Sequence, residues 1–157
     1  MAGKDTFLLE VDTILKTLLG TTRASRTTLR IDLPLFGLHV NAPAAEALAA
    51  GVHSIKNKTS LDQRSAVAIK WLEKNRRVFV EDDCLNTTPE VAPEKEVTEV
   101  YGIRSEMVAP VIRQNDLVGW VSVHNVRGPH IWTKTEIAAI EAACVQVLRE
   151  LDCIDAA

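Results

Sequence analysis

The chain has 157 residues, 46% of them apolar and 25% charged, with a net charge of −3. That length suits one domain with a real core, spanning 1–157, and the balance of apolar and charged residues excludes a disordered chain and offers no basic surface for nucleic acid. No apolar run approaches a membrane span, no leader pattern opens the chain, and Cys84, Cys144 and Cys153 suggest neither a disulfide framework nor a zinc knuckle, so a cytoplasmic protein is expected.

From Thr6 to Leu19, Phe7, Leu8, Val11, Ile14, Leu15 and Leu18 recur at three- and four-residue intervals, which predicts a helix over about 6–19 with Gly20 as its stop. Thr27 to Asp32 alternates, with Leu29 and Ile31 on one side and Thr28, Arg30 and Asp32 on the other, the pattern of a half-buried strand. Pro34 to Gly37 reads as a turn, and Leu38-His39-Val40 as a short partner strand ahead of the Ala-rich stretch Ala44 to Ala50. Ser60 and Gln63 stand three apart as a capping box, so a second helix is expected from Ser60 to about Asn75.

Arg77 to Glu81 alternates as a strand, and Asp82 to Asn86 leaves it as a loop. The Glu- and Pro-rich stretch Pro89 to Tyr101 predicts a mobile segment with a short solvated helix near its end. Two strands follow, Ser105 to Arg113 and Leu117 to Val126, joined by the polar turn Gln114-Asn115-Asp116. Thr133 and Glu136 form a second capping box, opening a helix over about 134–151 whose stripe is Ile137, Ile140, Cys144, Val147, Leu148 and Leu151. Hairpins favour antiparallel pairing, and helices at both ends can share one sheet face, leaving the other face for a pocket.

Several segments in this order carry a resemblance. They are Trp71-Leu72 and Asn75-Arg76-Arg77 before the strand Val78 to Glu81, then Tyr101-Gly102-Ile103-Arg104-Ser105-Glu106, Val108-Ala109-Pro110 and Gly119 through His124. With Trp132-Thr133 and Glu136 ahead of the last helix, the chain resembles a GAF domain, a small-molecule-binding module related to PAS domains, over nearly its whole length. The resemblance implies an α+β fold with a central antiparallel sheet, terminal helices on one face, a ligand pocket on the other, and homodimers formed through the terminal helices.

The family's ligands include cyclic nucleotides, bilins and haem, so the fold alone names none of them. Cys84 comes too early for a bilin attachment and lacks the aromatic and histidine neighbours of such sites, and the tandem, fused arrangement of cyclic-nucleotide members is not matched. In length the chain is similar to the free methionine-(R)-sulfoxide reductases, and Glu106 matches a glutamate that follows a serine in that branch. That branch has aspartates where this chain has Ser122 and His124, and a cysteine where it has Glu99, so the thiol chemistry and much of that branch's ammonium recognition do not carry over, nor does its activity.

Strand alternation places Thr28, Arg30, Glu106, Ser122 and His124 on one sheet face, with Trp71, Tyr101 and Trp120 as candidate walls. Arg30 would hold a carboxylate, and His124 would donate a hydrogen bond or change charge near neutral pH. The alternative is that Arg30 and Glu106 neutralise each other while His124 meets a backbone carbonyl. Arg104 reads as a tie for loop carbonyls, Asp82 and Asp83 as a solvated turn, and Cys144 as core. His39, His53 and His130 have no partner at ligand spacing. Cys84 is the one thiol worth testing for reactivity, with burial the expected outcome.

The expected function is a stand-alone binding domain for a small polar or anionic metabolite, acting as a homodimeric sensor or accessory subunit with no metal and no resident cofactor. Two rivals stand beside it. One is a small enzyme with His124 as general base and Glu106 as its acid partner, and the other is a structural dimerisation module.

Overall fold

The computed structural model describes residues 3–155. Its elements are α1 (Lys4–Thr22), β1 (Arg26–Ile31), β2 (Ala45–Leu48), α2 (Val67–Asn75), β3 (Phe79–Glu81), β4 (Ser105–Arg113), β5 (Asp116–Asn125) and α3 (Lys134–Asp155). The strands form one antiparallel sheet in the order β2-β1-β5-β4-β3. Helices α1 and α3 pack together on one face, as expected for an α+β fold of this type. Phe7, Val11, Leu15 and Leu18 from α1 and Ile140, Val147 and Leu151 from α3 close a core with Leu29, Ile31, Met107, Val121 and Val123. Each such side chain contributes roughly 1.5–3 kcal/mol on leaving water.

Several boundaries differ from the sequence reading, each for a physical reason. Helix α1 passes through Gly20 and ends only at Arg23, which takes the left-handed conformation at φ 52°. Packing of Leu18 outweighs the roughly 1 kcal/mol helix penalty of a glycine. Strand β1 is buried along its whole length, not half-buried, because it is paired on both edges and covered on both faces. Its edge partner is the Ala-rich segment, as β2, and Leu38 makes only a bridge to Leu33. Ala45 and Ala47 join the helix-side core, where small side chains let α1 sit close to the edge strand.

Helix α2 starts at Val67, well after Ser60, and Gln63 opens a separate 3₁₀ turn instead. Its first amide is met by the Glu94 carboxylate, with Val67 N donating at 2.9 Å, so the capping group comes from a distant segment. The β4–β5 hairpin closes with two residues, Gln114 and Asn115, both at positive φ (53° and 72°), and Asp116 already belongs to β5. That is the primed turn whose twist matches the flanking strands. The capping box at α3 forms as expected: Glu136 N donates to Thr133 Oγ1 at 3.2 Å, and Thr133 N to Glu136 Oε1 at 2.9 Å. The helix runs past Leu151 to Asp155.

Candidate functional site

Antiparallel register lines up the side chains of the sheet face opposite α1 and α3 in rows. One row runs Glu81, Glu106, His124, Arg26 across β3, β4, β5 and β1. The next runs Phe79, Val108, Ser122, Thr28, Glu46, and a third holds Pro110, Trp120 and Arg30. Between this face and its cover lies a cavity of about 50 Å³. Arg30, Glu81, Glu106, Trp120, Ser122 and His124 line its floor. The cover comes from Gln63, from Ala66 and Ile69 around α2, from Cys84, and from Glu94, Val97 and Tyr101. Glu94 and Val97 are half-buried, so the Pro89 to Tyr101 stretch is a wall of the cavity and not a solvated segment.

Burial sets the charges here. The Glu106 carboxyl is pushed up to about 8, first by desolvation and then by Glu81 and Glu94, so at neutral pH it carries its proton. His124 is held well below its ordinary value by desolvation and by the Arg26 and Arg30 cations, and it stays neutral. The expected change of charge near pH 7 therefore does not occur. Desolvation also pushes Glu81 upward, with Asp82 and Asp83 adding to the effect. Arg30 and Arg26 are lowered by the same cause and remain cations, as guanidinium does in any protein.

Arg26 is fully buried and orders the basic end of the first row. Its Nη1 donates to the Tyr101 carbonyl at 3.2 Å and lies 3.2 Å from His124 Nδ1, while Nη2 donates to the His53 carbonyl at 2.9 Å. Guanidinium can only donate, so Nδ1 of His124 must accept, which leaves the imidazole proton on Nε2. In that tautomer His124 offers a ligand a hydrogen-bond donor and has no lone pair free to act as a general base. Arg30 Nη1 donates to the Val40 carbonyl at 3.0 Å, and its guanidinium carbon lies 5.9 Å from the centre of the Tyr101 ring.

No ion pair joins Arg30 and Glu106, which stand two strands apart and four residue steps apart along them, a Cα separation of roughly 16 Å. Nor, among the described residues, does His124 meet a backbone carbonyl. Among the described residues, the Glu106 carboxyl and the Ser122 hydroxyl have no protein hydrogen-bond partner, although both residues are at least nine-tenths buried. Buried polar groups are ordinarily satisfied, so these must be met by water or by a bound molecule.

Of the other sequence candidates, Tyr101 and Trp120 are buried at the cavity, and the Tyr101 hydroxyl accepts from Gln63 Nε2 at 3.1 Å. Thr28 lies on the same sheet face but outside the lining, with its hydroxyl buried and without a partner among the described residues. Trp71 stands apart: it packs edge-on against Phe79 at 5.3 Å and lines an outer groove with Lys70 and Lys74. Cys84 borders the cavity, buried, with its thiol driven far upward by desolvation and the neighbouring carboxylates, which disfavours the reactive thiolate. Arg104 ties the Thr98 and Ile103 carbonyls, and Asp83 caps its own turn at Leu85. His39, His53 and His130 contact Asp32, Arg26 and Glu136 respectively, and no group of three metal-ligating side chains occurs among the described residues.

Arg26, Gln63, Glu81 and Glu94 were missed from sequence. Arg26 has a signal, since it continues the alternation of Thr28 and Arg30, and β1 begins there, one residue ahead of the expected strand. Glu81 was inside a predicted strand, two residues from Phe79 and opposite Glu106, which pairing alone reveals. Gln63 opens a 3₁₀ turn and its local pattern points only to a helix cap, while Glu94 lies in a loop with no local signal.

The sequence pattern of the GAF domain matches residues 9–151. No curated relative matches the sequence. Among solved structures, the chain is similar to the GAF domain of the cyanobacteriochrome TePixJ, with a TM-score of 0.73 at 16% identity, covering 98% of this chain and 91% of that one. The GAF domain region of a membrane protein from Geobacter sulfurreducens PCA gives a TM-score of 0.68 at 16% identity, with 94% and 93% covered. A domain in its far-red absorbing dark state with bound biliverdin IXa gives 0.70 at 15%, with 96% and 90% covered. At such identities the likeness is one of fold.

Proposed function

The chain belongs to the GAF domain family, and from that premise we propose that it is a small-molecule-binding sensor domain or accessory subunit for a compact polar metabolite carrying an anionic group. The observation that carries the reading is the set of buried, unpartnered polar groups, Glu106 and Ser122 with the donor Nε2 of His124, around one cavity beside Arg30. Arg30 supplies the cation, with Ser122 and His124 as further donors to a carboxylate. The cavity's size supports a small ligand. At about 50 Å³ it is far below the roughly 300–1,000 Å³ of sites for drug-sized molecules, so a tetrapyrrole such as biliverdin does not suit it.

A route for the signal lies at the acidic end. The Glu81 carbonyl accepts the Trp132 indole N–H at 3.3 Å, and the Asp82 carbonyl accepts His130 N at 2.9 Å, so strand β3 is tied to the loop that opens α3. A ligand that moves Glu81 would pull on α3, and pairing of two copies through α1 and α3 is part of this reading. Exposed Leu9 and Val145 on those helices favour it.

Native mass spectrometry of freshly purified full-length protein, followed by a thermal-shift screen of metabolites, tests the proposal. A retained or stabilising small molecule, lost in Arg30→Met, is the expected result. A protein that retains nothing and is stabilised by nothing would sink it and leave the structural dimerisation reading.

A further inference from the structure

The ionisable groups that face the cavity are unequal in number. Three carboxyl groups, Glu81 from β3, Glu94 from the cover and Glu106 from β4, share the lining with one guanidinium, Arg30 from β1. Arg26 does not correct the imbalance, because it stands outside the lining and its charge is paired with Glu46, Nε lying 4.0 Å from Glu46 Oε2 with both side chains buried. The imbalance is also sorted in space. Glu81 and Glu106 occupy the β3–β4 side, while Arg30, Ser122 and the His124 Nε2 donor occupy the β1–β5 side.

A ligand that is only an anion would satisfy Arg30 and meet three acids. A ligand that is only a cation would satisfy the acids and leave the Arg30, Ser122 and His124 donors unmet. A molecule with both charges a short distance apart answers both ends, and the small volume keeps that distance short. We propose that the occupant is a compact zwitterion of the amino-acid type, its ammonium among Glu81, Glu94 and Glu106 and its carboxylate on Arg30, Ser122 and His124.

This rests on the ligand-binding reading above and narrows it. It also gives the acids a reason to be there. Crowded carboxyls in a buried site oppose one another's ionisation, and Glu106 holds its proton first because burial strips its carboxylate of water and then because Glu81 and Glu94 face it, while Cys84 and neutral His124 bring no cation. An incoming ammonium cancels the opposition of Glu81 and Glu94 and, by pairing with the ionised carboxylate, offsets its lost hydration. Binding at neutral pH is therefore accompanied by release of close to one proton from Glu106, a signature that a plain carboxylic acid would not produce.

The test uses the full chain and isothermal titration calorimetry with the proteinogenic amino acids, run at pH 7 in buffers of different ionisation enthalpy. For the tightest binder, the matched 2-hydroxy acid removes the ammonium and the matched amine removes the carboxylate. Each is expected to bind about 10- to 100-fold more weakly, and the amino acid to release about one proton per site. Glu106→Gln should abolish the proton release and shrink the preference over the hydroxy acid, and Arg30→Met should shrink the preference over the amine. A hydroxy acid that binds as tightly as the amino acid overturns the inference, as does a panel in which no amino acid binds. If native mass spectrometry then still finds a retained metabolite without an amine, the sensor reading survives and only the zwitterion fails.

Discussion

Glu106 and His124 stand directly opposite each other across the β4–β5 ladder, and both are uncharged at neutral pH. Their shifts have opposite consequences for stability. Glu106 has a folded-state value raised to about 8 from 4.5, so the native state binds the extra proton between those values. Its contribution is complete below about pH 4.5 and is lost as pH rises through 8. Replacing it with Gln should remove this loss, making the variant more stable relative to wild type as pH climbs from 5 to 9, by roughly 3–5 kcal/mol in total. Urea melts at stepped pH check this, and a variant whose difference from wild type is constant with pH would refute the assignment.

His124 gives the reverse slope. Its folded-state value is depressed, so its contribution is present above the ordinary 6.5 and declines as pH falls below it. Between about pH 4.5 and 6.5 the two slopes oppose each other, and above 6.5 the Glu106 loss acts alone. In His124→Gln, stability should fall steadily from pH 5 to 8, whereas Glu106→Gln should gain stability from pH 5 to 6.5 and then level off. The same urea series on both variants distinguishes these shapes.

The hairpin that supplies these residues was legible in the sequence because period-two alternation on both sides of a polar turn leaves little choice of register. The capping box at Thr133 and Glu136 was legible because both partners lie within one turn. Helix α2 was misplaced for the opposite reason: its first amide is met by Glu94, 27 residues away, which no local pattern encodes. At the site, the face of Arg30, Glu106 and His124 followed from alternation, but the charge states did not. Those depend on Arg26, Glu81 and Glu94, which only the sheet order and the cover bring against them.

The three thiols should separate cleanly. Cys84 and Cys144 are buried, with the Cys144 thiol pushed up to about 12 by desolvation, while Cys153 is exposed on the last turns of α3. A disulfide reagent at pH 8 should modify one cysteine in the native protein and three in denaturant. Fast modification of a second native thiol would contradict the packing of Cys84 against the cavity.

Gln114 occupies the first position of the primed turn at φ 53°, where a side chain without local hydrogen-bonding reach is strained. Asn tolerates this conformation better, so Gln114→Asn should raise stability by about 0.5 kcal/mol. Chemical denaturation measures it, and the gain should leave ligand binding unchanged because the turn is at the far end of the hairpin from Glu106.

Gly119 is required for a different reason. It sits in β5 between Ile31 of β1 and Val111 of β4, and an added Cβ would collide with the Arg30 carbonyl oxygen and come to 2.9 Å from the Ile31 Cα. Both contacts are to backbone, so the strain cannot be relieved by rotating a side chain, and β1 would have to move away from β5. Gly119→Ala should therefore cost about 3 kcal/mol or more, and it should loosen Arg30 with the strand that carries it. Gly128→Ala, where an added Cβ meets nothing within 4 Å, is the matched control and should be close to neutral. Amide hydrogen exchange reads the local effect: faster exchange at the β1–β5 ladder in the first variant and not in the second. Equal stability of the two variants would mean that β1 and β5 are not held at this approach.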